Sequence, residues 1–332
     1  RFPDRAPSND AAGTINLYAA IHFPDGYKVS LRGAGQSSTF IRTNGSLTGN
    51  WIVYDYVSAG GFVDLGDFYM LDNAGTNHVG GYMIVINGRS TGVVSNIYIT
   101  SAFNGILANY VNGNMMFSNL QVSATNVSLE FTGIQTQAII YGCNLHGAAY
   151  GIWVHLTELV GFYVANSLID ASFGTSSSAA IKFEEATGFV NNEIVMSGLD
   201  LETGLGAGLS FRGSGGTTTN NNIILTGSRI NAGTYAVDVQ NTVFALKVDS
   251  CRLVTTGANA AGSIHLSDVT YFSLIGNDIQ CYVDGSTRVA SAISVGGTSN
   301  AHGKIMGNTI GREGPVPPTT GIVIANASDI QV

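Results

Sequence analysis

Apolar and polar residues alternate in short bursts along the chain, as in Ile181-Lys182-Phe183-Glu184 and Val237-Asp238-Val239-Gln240, and Gly, Asn, Ser or Thr bound each burst. Period-two alternation sends successive side chains to opposite faces, so the bursts predict half-buried β-strands separated by tight turns. The bursts also recur. A small residue followed by a branched apolar one marks Gly151-Ile152, Ala180-Ile181, Gly208-Leu209, Ala236-Val237, Ser263-Ile264, Ala292-Ile293 and Gly321-Ile322, at intervals of 27–29 residues. A second mark, an apolar residue two places after Ser, Cys or Asn, alternates with the first. It falls at Ser118/Leu120, Cys143/Leu145, Asn166/Leu168, Asn192/Ile194, Ser228/Ile230, Cys251/Leu253, Asn277/Ile279 and Asn308/Ile310.

A near-constant period of this length means stacked units, none of which buries its apolar face alone. Helical repeats would need long segments rich in Ala, Leu, Glu and Lys, whereas this chain has 43 Gly and only 11% charged residues. The spacing of leucine-rich repeats and the longer period of propeller blades are both missing. The remaining solenoid is all-β: a single-stranded parallel β-helix with three short strands per turn and about ten to twelve turns. Equivalent positions then form columns that climb about 4.8 Å per turn. The Ser/Cys/Asn column predicts a tight corner, because these side chains tolerate left-handed backbone and bond to their neighbours. Upstream, the first mark is carried by Tyr82, Ile106 and Ile134. Residues 1–45 read as an entry cap and residues 46–332 as the solenoid, one elongated domain.

Within the cap, Phe23-Pro24-Asp25-Gly26-Tyr27 leads into Leu31-Arg32-Gly33-Ala34-Gly35. This segment resembles the opening of the pectate-lyase-like superfamily, in the branch that includes bacteriophage tailspikes and appendage proteins. The resemblance implies a right-handed helix, parallel homotrimers, an extracellular place on a virion tail and contacts with other tail proteins. The superfamily hosts lyases, hydrolases, epimerases and non-catalytic adhesins, so fold alone does not choose an activity. The Arg-x-Pro-x-x-Arg stretch and aspartate cluster of calcium-dependent pectate lyases and the Gly-His-Gly of polygalacturonases are all missing here. No catalytic residue is therefore carried over.

The net charge of −8 without a Lys/Arg cluster argues against nucleic acid and anionic membranes as partners, and no apolar run approaches 18 residues. The chain starts at Arg1 and stops inside a turn, as expected of a fragment of a larger protein. Cys143 and Cys251 share the corner column and, with Cys281, form no Cys-x-x-Cys pair, which predicts buried thiols. The six His residues show no metal-binding pair, so neither metal nor cofactor is expected.

In a stacked fold a site is sought across turns. The residues one and three places after the branched mark put Trp153, His155, Lys182, Glu184, Arg212 and Asp238 on one outer face. Indole stacks on sugar rings, Arg and Lys fix anionic substituents, and carboxylates or His transfer protons. We therefore expect Trp153, Lys182 and Arg212 to bind a glycan. Glu184, Asp238, Asp170 and His155 are the catalytic candidates, with Asp170 in a loop after Leu168 and Asp200 or Glu202 as further partners from the loop 196–208. Turn stacking can supply the carboxylate spacing of either a retaining or an inverting glycosidase. The plainer reading is a solvated ladder in which Glu184 pairs with Arg212 and Lys182 with Asp238.

Other columns predict ion pairs Glu193/Arg229 and Arg252/Asp278. The residues Val164, Val190, Thr226, Asp249, Ile275 and Met306, beside Phe162, Ile224 and Lys247, form either an outward apolar stripe for trimer packing or, if the register is one residue off, core. Long loops contribute Tyr282, Asp284, Arg288 and Arg312. The function expected from these residues is a tailspike-like protein that binds and depolymerises a bacterial surface polysaccharide, by hydrolysis rather than elimination. The alternatives are a non-catalytic tail shaft or adhesin, and a secreted bacterial lyase or hydrolase.

Overall fold

The computed structural model describes residues 13–24, 28–43, 49–72, 80–111, 113–172, 174–185, 193–213, 219–241, 243–256, 260–281, 289, 291–297, 301–311, 318, 320–325 and 327–332. Every strand pair among them is parallel, and together the strands form one continuous parallel β-helix with three faces. The alternation read from the sequence is the cause: one side of each strand points into the bore and the other to solvent.

The first sheet carries the branched mark. Its inward column reads Ile21, Ile52, Ile84, then Ile106, Leu129, Ile152, Ile181, Leu209, Val237, Ile264, Ile293 and Ile322, twelve turns in all. The side-chain amide of Asn109 donates to Asn87 at 3.1 Å and joins the two parts of the column. The second sheet buries Leu31, Leu65, Val94, Phe117, Ile140, Val164, Met196, Leu225, Val248, Leu274 and Ile305. The third buries, among others, Ile41, Met70, Ile99, Val122, Leu145, Ile169, Leu201, Ile230, Leu253 and Ile279. Phe117, Phe131, Phe162 and Phe183 alternate between the second and first sheets at centroid distances of 5.4–5.6 Å, and Phe211 stacks on Phe183 within the first sheet at 5.5 Å. Burying one such side chain contributes about 1.5–3 kcal/mol, so each turn is stabilised mainly by the turns above and below it.

One residue makes the corner between the second and third sheets. Asp67, Asn96, Asn119, Gly142, Asn166, Gly198, Gly227, Ser250, Gly276 and Gly307 all sit there with φ between 50° and 64°. Only Gly adopts this left-handed backbone freely, with Asn and Asp next best. The following residue points inward and forms the polar ladder. Ser167 Oγ accepts the Cys143 N–H at 3.1 Å, Ser228 Oγ that of Leu199 at 3.1 Å, and Asn277 Oδ1 that of Cys251 at 2.9 Å. Asn308 does the same for Asn277 at 3.0 Å. At these four turns the polar residue caps an amide of the turn before it, while Leu120 and Leu199 fill the same position with apolar side chains.

The structure moves several predicted marks. Leu129 and Ile84, not Ile134 and Tyr82, continue the first column, because the turns from Ile84 to Ile152 shorten to 22–23 residues. In the third sheet the paired residues are Leu120/Val122, Ser167/Ile169 and Leu199/Leu201, instead of Ser118/Leu120, Asn166/Leu168 and Asn192/Ile194. Asn166 is the left-handed corner itself, and Ile194 belongs to the second sheet across from Phe162. Asp170 accordingly lies on the strand Leu168–Ala171, and Asp200 and Glu202 on Asp200–Thr203, not in loops.

Arg229 therefore meets Asp200 at 3.3 Å and Glu202 at 3.8 Å, while Glu193 accepts from Tyr163 at 3.1 Å; Arg252 and Asp278 approach to 3.9 Å. Phe162 and Val164 are core, and their neighbours Ile224, Thr226, Lys247, Asp249, Ile275 and Met306 face outward. Val190, Asn192, Tyr282, Asp284, Arg288 and Arg312 lie outside the described residues. Cys143, Cys251 and Cys281 are free and buried; burial pushes the Cys143 thiol up to about 11.

Candidate functional site

The first sheet presents two outward columns two residues apart. One contains Glu130, Trp153, Lys182, Ser210, Asp238 and His265, and the other Thr132, His155, Glu184, Arg212, Gln240 and Ser267. Parallel pairing without a slip between Ile152 and Ile264 keeps these side chains over one another, so residues far apart in sequence meet on adjacent turns.

Their centre is a hollow of about 400 Å³, floored by Lys182, Glu184, Ser210, Arg212 and Asp238 and walled by Ser176–Ser178, Thr234 and Tyr235. Asp238 is its best-held member. Its side chain is 3% exposed; Arg212 donates to Oδ2 at 2.7 Å, Gln240 to Oδ1 at 2.8 Å, and His265 Nδ1 lies 2.8 Å from Oδ1. Burial alone would raise this carboxyl, but the bonds from His265 and Gln240 and the Arg212 charge hold it below the ordinary carboxylate range. Asp238 is thus a fixed anion that presents Arg212, Gln240 and His265 to solvent. Tyr235 stacks on His265 with ring centroids 5.0 Å apart.

Two turns below Asp238, Lys182 forms an ion pair with Glu184 and donates to the Tyr150 hydroxyl at 3.2 Å. Burial works against the Lys182 charge, but Glu184 and Tyr150 more than offset it, so its ammonium is raised. Glu184 is 38% exposed and also accepts the Trp153 indole N–H at 3.2 Å. The ladder pairing expected from sequence is therefore exchanged: Lys182 pairs within its own strand, and Arg212 reaches up to Asp238 instead of down to Glu184.

Trp153 and His155 adjoin this hollow without flooring it. The His155 ring stacks on the indole at 4.1 Å, and its Nε2 lies 2.6 Å from Glu130 Oε1. Glu130 is buried and also accepts from the Tyr82 hydroxyl, whose own ionisation is pushed up by burial and by that carboxylate. With His155 on one face, Trp153 serves mainly to hold Glu184. Of the seven candidates, Lys182, Glu184, Arg212 and Asp238 converge, Trp153 and His155 join through Glu184 and Glu130, and Asp170 stands apart. It lines a separate hollow on the third sheet, where His146 Nδ1 lies 3.1 Å from it.

Sequence reasoning missed Glu130, the largest omission. Placing the mark at Ile134 instead of Leu129 skipped the turn that carries it, and the alternation Leu129-Glu130-Phe131-Thr132 was the available signal. Tyr235, two residues before the strand Val237–Gln240, and Tyr150, the first residue of the strand Tyr150–Ala165, lay outside the two columns read from the sequence.

In chemical terms the hollow offers two cations, a fixed carboxylate, a half-exposed carboxylate and several hydroxyls. Glu184 and Asp238 lie two turns and two residues apart, so their Cα atoms are separated by about 12 Å. That favours the wide, water-admitting spacing of inverting hydrolysis over the roughly 5 Å of a retaining pair.

No family model matches the chain, and no curated protein matches it. Among solved structures, ORF18 of Geobacillus virus E2 is similar at 12% sequence identity and a TM-score of 0.32, over 93% of this chain and 55% of that one. The chain thus spans about half the length of that structure.

Proposed function

We propose that this chain is a tailspike-like, extracellular receptor-binding protein that engages a bacterial surface polysaccharide in the hollow on its first sheet. One observation carries the reading: Lys182, Glu184, Arg212 and Asp238 converge with Tyr235 and a run of hydroxyls in one concave site on an otherwise charge-poor surface. An exposed Arg212 beside hydroxyls, with Lys182 behind it, suits a glycan with acidic substituents, since the guanidinium offers planar, charge-assisted bonds. Hydrolysis is the chemistry we assign to this site, with Glu184, the carboxylate of the Lys182 ion pair, as the base that takes a proton from the attacking water, while the leaving oxygen takes up a proton from solvent. Asp238, held ionised, orients the cations and supplies negative charge opposite Glu184. The resemblance to virion appendages motivates placement on a phage tail beside other tail proteins.

Assembly as a homotrimer belongs to the same proposal. Its support is an outward apolar strip on the second sheet, Val93, Met116, Ile139, Tyr163, Val195 and Ile224, on six successive turns. A strip about 24 Å long fits side-by-side packing of parallel copies.

A non-catalytic adhesin is the second reading, favoured by Asp238 having both oxygens already engaged. Incubation with capsular and exopolysaccharide panels, followed for reducing ends and for unsaturated uronates, separates the two. New reducing ends without unsaturation, lost in Glu184→Gln while binding persists, are expected. Binding without cleavage would establish the adhesin, unsaturation would establish a lyase, and failure to bind any acidic glycan would sink the polysaccharide reading.

A further inference from the structure

On the third sheet, three successive turns place Ser123, His146 and Asp170 in one outward column, each backbone position paired with the next. Asp170 Oδ2 meets the Nδ1 atom of His146 at 3.1 Å. The Ser172 hydroxyl donates to the other Asp170 oxygen, fixing the carboxylate from its far side. Asp170 is 13% exposed, and its carboxyl is held low: burial would raise it, but the bonds from His146 and Ser172 dominate. With Nδ1 at Asp170, the Nε2 atom of the half-exposed His146 is the ring nitrogen left to take a proton, and the next position down its column is Ser123. Ser123 is exposed. All four side chains line one hollow of about 220 Å³.

We propose that Ser123, His146 and Asp170 form a nucleophile–base–orienter triad that hydrolyses small acyl esters, a second activity separate from the hollow on the first sheet. The order of roles follows from the nitrogen that Asp170 engages. A carboxylate on Nδ1 sets the tautomer whose Nε2 lone pair accepts a hydroxyl proton. Stacking at about 4.8 Å per turn puts the Ser123 and His146 backbones on adjacent turns, so side-chain rotation alone has to bring Oγ to Nε2 when substrate binds. Below the roughly 300–1,000 Å³ of drug-sized ligand sites, this hollow suits a short acyl group on a larger alcohol left in solvent.

In the first half-reaction, Ser123 Oγ bonds to the ester carbonyl carbon while His146 Nε2 takes the hydroxyl proton. The ester C–O bond then breaks, and the departing alkoxide takes that proton. Water next adds to the acylated Ser123 and gives a proton to His146. The bond to Oγ breaks, the proton returns to Ser123, and the carboxylic acid leaves. Ester and water become alcohol and acid, with no change in oxidation state. Ser123 and His146 are the catalytic residues; Asp170 and Ser172 are positioning residues.

The test uses the full chain with p-nitrophenyl acetate and, separately, a fluorophosphonate probe followed by peptide mass spectrometry. The expected result is a probe adduct on Ser123 and acetate ester turnover that falls at least about 100-fold in Ser123→Ala and His146→Ala. Ser123 is exposed, so its alanine variant should retain the wild-type circular dichroism and melting temperature. Asp170→Asn should slow labelling at Ser123 in a chain that keeps the wild-type circular dichroism, although its melting temperature falls, and Asp170→Glu should recover part of the rate, which a merely structural carboxylate would not do. An unlabelled Ser123 in the folded chain, or ester turnover that survives Ser123→Ala, overturns the triad.

Discussion

Asp238 shows how a single side chain is set by its neighbours rather than by its own exposure. It is nearly inaccessible, yet three donors keep it ionised. Because its folded value lies below the ordinary one, its contribution to stability is complete above the usual carboxylate range and disappears as pH falls through the folded value. Asp238→Asn should therefore lower unfolding stability at pH 7 by about 1–3 kcal/mol, the low side of a broken buried pair because Arg212 is half exposed. The gap to wild type should shrink towards pH 3, read from urea midpoints at both values. An equal gap at both would mean that Asp238 acts through packing alone. Its position, and the columns of Gln240 and His265 beside it, were legible from the marks at Val237 and Ile264, whereas the bonds by which those two side chains hold it were not. Glu130 was missed because the short turns between Ile84 and Ile152 broke the period and set the mark at Ile134.

Among elements, the corner after the second sheet explains both what the sequence disclosed and what it hid. The column of Ser, Cys and Asn stood out because its polar atoms are obligatory partners for amides of the preceding turn. Which of two neighbouring turn-tolerant residues is the left-handed one did not stand out: Asn166 and Ser167 differ in role only through φ and through the amide that Ser167 receives. The ladder makes a contrasted prediction. Asn277→Ala strands the Cys251 N–H and the Val248 carbonyl in a buried site, at a cost of about 2–3 kcal/mol. Cys143→Ser should cost under about 1 kcal/mol, since Ser already fills the same column at 167 and 228 with the same carbonyl two residues back as acceptor. Denaturant melts of the two variants side by side check this, and similar losses in both would show that the column is only packing.

For the molecule as a whole, the proposed trimer rests on the second sheet, where the apolar strip runs beside polar columns. Ile139→Lys places a charge at its middle without touching the bore, because Ile139 faces away from the buried Ala138 and Ile140. Analytical ultracentrifugation should show the wild type as a trimer and the variant as a monomer with unchanged circular dichroism. A monomeric wild type would remove the strip from the assembly argument. The solenoid itself was legible before any coordinate, as a period; the strip was not, because the misplaced third-sheet marks left the second sheet with core and surface residues mixed in one column.

The single-residue corner has a further consequence. From Leu65 onward, the inward residue of the second sheet is always followed five places later by that of the third, from Leu65/Met70 to Ile305/Ile310. All differences in turn length are taken up at the other two corners, and both of those border the first sheet. The second and third sheets thus behave as an angle bracket of fixed cross-section, carrying the apolar strip on one arm and Ser123, His146 and Asp170 on the other. Insertions and deletions can remodel the rims of the first-sheet hollow from one descendant to the next while the bracket stays in register, so the proposed recognition can diversify without altering the proposed assembly.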